Sequence, residues 1–167
     1  MNDTTNDNMN DKCVLDNPQS KFLYSSSYFS IISWLYALYK KQYILSFIPG
    51  TIFISSINYW SNPRIYCKER YIDILCVQIC LYFQLYYCLN AQYLKQYCIV
   101  TSIGIISFIA SYYLSQKWDI LNIKDQKERR RKMWIVTYLH SGVHIFGNIA
   151  NIILYSGYIK PQSSNII

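Results

Sequence analysis

The residues best equipped for chemistry are two histidines four apart, His140 and His144, the only histidines in the chain. They lie in the segment Trp134–Tyr158, WIVTYLHSGVHIFGNIANIILYSGY. At a helical advance of about 100° per residue, both imidazoles project from one face. Two nitrogen ligands so placed can chelate a divalent metal such as zinc. Asn148, Asn151, Thr137, Ser141 and Tyr155 fall in the same band of about 100°. Ile145, Phe146, Ile149, Ile152 and Ile153 occupy the opposite face. The other use of such imidazoles is a hydrogen bond across helices to Ser, Asn or a backbone carbonyl.

A second stripe runs through RYIDILC, where Asp73 is the only carboxylate well inside an apolar segment. On a helical wheel Gln84, Cys80, Tyr87 and Cys76 lie within about 60° of it. Asp73 can orient a ligand or a water, or pair with Arg70 or Arg64. Ser55, Ser56 and Asn58 form a third cluster, near the end of the preceding apolar segment. Ser55, Ser56, Asp73, His140 and His144 are therefore the candidate site. Asn58, Gln84, Asn148 and Asn151 are expected in a buried polar junction around it.

The elements that carry these residues are apolar blocks at about 22–39, 43–60, 71–89, 97–115 and 133–157. Blocks of some 18–22 residues match a hydrocarbon layer of about 30 Å at a rise of 1.5 Å per residue. The expected fold is all-α, a multi-pass transmembrane bundle of four or five helices within residues 21–159, the first block being the weakest span. Residues 1–20 read as a disordered polar tail, 116–132 as a basic connector and 160–167 as a second tail. Pro49 and Gly50 predict a kink in the second block. Gly104, Ser107, Ser111 and Ser115 mark a face where another helix approaches closely. The six cysteines show no C-x-x-C and no metal-ligand spacing.

The net charge of +7 is concentrated in KERRRK, between two apolar blocks. That pattern points to a cytoplasmic loop and away from nucleic acid. Lys12, Lys21, Arg64, Lys68, Arg70 and the cations of 116–132 fall on one side; Lys40, Lys41, Lys95 and Lys160 fall on the other. The positive-inside rule places the connector in the cytoplasm and the C-terminus opposite. The expected partners are the lipid bilayer and, at 127–132, anionic lipid headgroups.

The serines ending one block (SSINYW), the aspartate opening the next (YID) and HSGVH in the last resemble the alkaline ceramidase and adiponectin-receptor superfamily, often called CREST. The resemblance implies a zinc held by three histidines, with a serine and an aspartate beside it, and hydrolysis of lipid amides by a zinc-activated water. Ser55 or Ser56, Asp73, His140 and His144 would take those roles. This chain departs from the pattern: Tyr59 or Trp60 stands where the family places a histidine, and four or five spans replace seven. The residues leave three functional readings open. The first is a structural, assembly or interaction role without catalysis. The second is a divergent metal-dependent lipid amide hydrolase, and the third an ion or proton pathway.

Overall fold

The computed structural model describes residues 15–64 and 67–159, and its helices start and stop where local chemistry directs. They are α1 (Asn17–Ser27), α2 (Phe29–Tyr39), α3 (Tyr43–Ser61), α4 (Lys68–Tyr87), α5 (Leu94–Lys117), a 3-10 turn (Ile120–Asn122) and α6 (Gln126–Ser156). The described residues thus form an all-α fold without strands, apart from an isolated bridge between Ala91 and Ile159. Pro18 sits in the first turn of α1, where its missing N–H costs nothing. Residues 17–20, expected in the disordered tail, are therefore helical, with Leu15 buried ahead of them. The rest of that tail, 1–14, and the segment 160–167 lie outside the described residues.

Only Tyr28 separates α1 from α2, and its backbone is itself near-helical (φ −65°, ψ −18°), so the two form one rod. The rod ends in a Schellman motif. Gln42 N–H bonds the Ala37 carbonyl and Lys41 N–H the Leu38 carbonyl, each at 2.9 Å. Lys41 holds the left-handed position (φ 58°) that glycine usually fills.

Helix α3 runs unbroken through Pro49. Proline lacks the N–H that would bond the Leu45 carbonyl one turn earlier. The Tyr155 hydroxyl of α6 donates to that carbonyl instead, at 3.4 Å. Gly50 admits the Trp34 indole, which a Cβ there would meet at 3.1 Å.

Helix α6 is the spine. It packs along α5 and against α1 and α2, while α3 packs against α1, α2 and α4. The α5–α6 contact is close because small residues face each other. A Cβ on Gly104 would lie 3.3 Å from the Phe146 Cβ, and one on Gly142 would collide with the Ser107 side chain. Ser111 is buried on the same face. Of the small residues expected at a helix contact, Gly104 and Ser107 thus make it directly.

The KERRRK run is not a loop. Helix α6 begins at Gln126, so these residues are its first two turns. Cations near a helix N-terminus oppose the macrodipole. Asp125 offsets this by accepting the Lys127 N–H at 2.9 Å, and Glu128 and Asp16 pair with Lys132 (2.7 Å) and Arg129 (3.1 Å).

Two apolar clusters close the bundle at its ends. One gathers Leu45, Ile48, Cys88, Tyr97, Leu154 and Tyr155; the other gathers Leu15, Leu23, Tyr59, Trp60, Met133 and Val136. Ser26, Ser27, Ser30 and Ser33 of the α1–α2 rod, Ser55 and Ser56 of α3, and Ser141, His144 and Asn148 of α6 are buried between them. Outside, Ile32, Leu35, Phe47, Ile54, Leu75, Ile79, Ile106 and Ile109 are each more than half exposed. Among the described residues one helix, Leu94–Lys117, is long and apolar enough to cross a membrane, with mean hydropathy 1.7 over its most apolar stretch.

Candidate functional site

The site begins where α3 meets α4. Ser55 and Ser56 are consecutive, so their hydroxyls leave α3 about 100° apart and straddle the seam with α4. Both donate to Asp73 Oδ1, at 2.7 and 2.8 Å. Ser55 also reaches back to the Ile52 carbonyl at 3.1 Å, as helical serines do. Three of the residues singled out as candidates are therefore in direct contact.

Asn58, expected in the junction, is exposed. Its direction lies about 110° from the mean direction of Ser55 and Ser56, so turning the serines to Asp73 turns Asn58 away.

The second knot joins α2 to α6. Asn148 Nδ2 donates to the His144 carbonyl at 2.6 Å and to Ser30 Oγ at 3.4 Å. Ser33 Oγ donates to Asn148 Oδ1 at 2.5 Å. Ser30 and Ser33 were not among the sequence candidates, although their spacing of three residues put them on one helical face. The third knot joins α4 to α6, where Gln84 Nε2 donates to Asn151 Oδ1 at 2.8 Å. The fourth joins α5 to α6 through Ser107 Oγ and the Leu139 carbonyl, at 2.7 Å.

The histidines sit among these knots in an aromatic cage. Trp60 and Phe108 meet the His140 ring edge-on, with centroids 5.2 and 5.3 Å away. The His144 ring lies 5.8 Å from that of His140. His144 is buried (7% exposed). Its Nε2 and the Trp60 Nε1 have no hydrogen-bond partner among the described residues. Sequence reasoning missed Trp60 and Phe108, because each comes from a different helix and carries no periodic signal of its own.

The zinc implied by the resemblance can be tested against this donor set. The chain supplies two imidazoles, and Asp73 Oδ1 is already engaged by two hydroxyls. Among the described residues, no three His, Cys, Asp or Glu side chains group closely enough to hold a metal ion. Cys80 instead directs its thiol toward the Ile48 carbonyl, at 4.0 Å. A catalytic zinc takes three protein ligands and a water, so these residues do not fit it. No known protein family, curated protein or solved structure matches the chain.

Proposed function

We propose that the chain is a multi-pass membrane protein with a structural, assembly or interaction role and no catalysis of its own. Its buried polar residues act as cross-links between helices. One observation carries this reading: Asp73, Gln84, Asn148 and Asn151 each bond a side chain from another helix. In hydrocarbon there is no hydrophobic drive between helices, so close packing of small residues and interhelical hydrogen bonds of this kind set partner and register.

The membrane reading is supported by the apolar exterior. Exposed Ile, Leu and Phe occur on α2, α3, α4 and α5, and apolar side chains exposed on that many helices suit a lipid environment better than water. The rods at 17–39, 43–61, 68–87, 94–117 and 126–156 are each about 28–46 Å long at 1.5 Å per residue, enough to cross by length, and among the described residues 94–117 is the helix that is also apolar enough. Five crossings put the α5–α6 connection and the C-terminus on opposite sides, with the basic connection cytoplasmic.

The experiment is alkaline extraction of membranes followed by metal analysis of the purified protein. Retention in the pellet with no stoichiometric metal is the expected result. Stoichiometric zinc that is lost in a His140→Ala, His144→Ala double variant would replace this reading with the hydrolase, which has the Ser55–Ser56–Asp73 contact in its favour.

A second reading also has a specific observation behind it. The unpartnered His144 Nε2, beside His140, is where a proton or a small polar guest would sit in an ion or proton pathway. Ion flux in liposomes that disappears in His144→Phe would establish it.

A further inference from the structure

KERRRK holds five cations, and the fold uses only two of them. Arg129 Nη2 lies 3.1 Å from Asp16 Oδ1. Lys132 lies 2.7 Å from Glu128 and sits over the Trp118 ring at 5.6 Å. The other three, Lys127, Arg130 and Arg131, are exposed and form no ion pair with a described residue. The division matches the helix wheel. Lys127, Arg130, Arg131, Trp134 and Tyr138 fall within about 100° of one another, whereas Arg129 and Lys132 point with Met133 and Val136 toward the core.

We infer that this outer face of α6 docks anionic phospholipid headgroups at the membrane surface. The inference rests on the membrane reading above and adds a ligand class to it. Lys127, Arg130, Arg131 and Trp134 share one open surface patch on α6. Asp125 and Glu128 belong to it too, but both carboxylates are engaged, by the Lys127 N–H and by Lys132. Lys132 balances Glu128, while the hydrogen bond to Asp125 leaves that charge in place, so three cations against one carboxylate keep the patch positive.

The residues beyond the cations along α6 set the second half of the ligand. Trp134 stacks on Tyr138 with centroids 5.3 Å apart, and Phe22 of α1 meets both rings edge-on at 5.9 and 5.4 Å. This aromatic layer begins about 4.5 Å along the axis from Arg131, at 1.5 Å per residue. Charge, then aromatic rings, then the exposed Ile145 and Ile149 succeed one another along α6. That order matches the gradient from phosphate to interface to acyl chain. Guanidinium groups suit phosphate because they bond it in bidentate fashion. A free inorganic anion would use the cations but not the aromatic layer.

Each cation should favour an anionic over a zwitterionic headgroup by roughly fivefold. The test is native mass spectrometry of the full chain released from nanodiscs of equimolar phosphatidylglycerol and phosphatidylcholine. Wild type should retain phosphatidylglycerol preferentially, and millimolar inorganic phosphate should not displace it. Lys127→Gln, Arg130→Gln, Arg131→Gln should lose the preference. Arg130→Lys, Arg131→Lys should keep most of it, and Lys40→Gln, Lys95→Gln, at the other end of the bundle, should keep all of it. Equal retention of both lipids by wild type, an unchanged preference in the triple variant, or displacement by phosphate would overturn the inference. Alkaline extraction separates this outcome from a wider one: a protein that stays in the pellet but shows no preference refutes only the headgroup site. A protein that leaves the pellet refutes the membrane reading with it.

Discussion

Asp73 accepts from two neighbouring hydroxyls, and removing both donors leaves a half-buried carboxylate without them. Ser55→Ala, Ser56→Ala is expected to destabilise by roughly 1–3 kcal/mol, read as thermal unfolding in detergent. Asp73→Asn should cost less, because its amide oxygen still accepts from the serines. Asn58→Ala should stay within about 0.5 kcal/mol, as exposed substitutions do; a larger loss would put Asn58 back in the junction. His144 has the opposite expectation. Its Nε2 is buried without a partner among the described residues, so His144→Phe should unfold at the same temperature as wild type or higher. A fall of several degrees would mean that the imidazole has a bonding partner in the folded protein. The serine–aspartate contact was within reach of the sequence because the serines end one apolar block and Asp73 opens the next, across one short connection. The Ser30–Ser33–Asn148 knot was not, since serines in an apolar block read first as a weak span.

Helix contacts in this bundle are set by small residues and by one displaced hydrogen bond. Gly142 faces Ser107 with no room for a Cβ, whereas a Cβ on Gly147 would meet nothing within 4 Å. Gly142→Ala should therefore cost about 1–3 kcal/mol. Gly147→Ala, on the same helix, should stabilise by roughly 0.5–1 kcal/mol through helix propensity alone. Circular dichroism melts of the pair separate packing from propensity. The Tyr155 hydroxyl bonds the carbonyl that Pro49 leaves free, which predicts coupling between two distant positions. Tyr155→Phe should cost roughly 0.5–1.5 kcal/mol in wild type and little in a Pro49→Ala background, where the backbone bond returns. Additive effects would contradict this account. The stripe Gly104–Ser107–Ser111 announced a close contact in advance. Which helix it would meet depended on how each rod turns about its own axis. Periodicity within one segment does not encode that rotation, and this is also why the sequence places Asn58 in the junction and does not reveal the Trp60–His140–Phe108 cage.

Across the chain, the all-helical fold was readable because long apolar blocks and the polar stretches between them are written in composition, with no need for side-chain geometry. The basic run reads as a loop for a related reason. Composition reports that 127–132 is charged, not that the Asp125 cap starts a helix just ahead of it. The resulting picture is five rods whose apolar flanks face outward, held in register by polar knots between two apolar clusters. The multi-pass membrane role proposed above requires the α5–α6 connection and the end of α6 to lie on opposite faces of one membrane. Lys124→Cys and Tyr158→Cys, both at exposed positions, test this when each is labelled in sealed vesicles with a membrane-impermeant maleimide and compared with the unaltered chain. The account predicts extra labelling at residue 124 only in inside-out vesicles and at residue 158 only in right-side-out vesicles. Labelling of both positions from one side, or from either side alike, would contradict it.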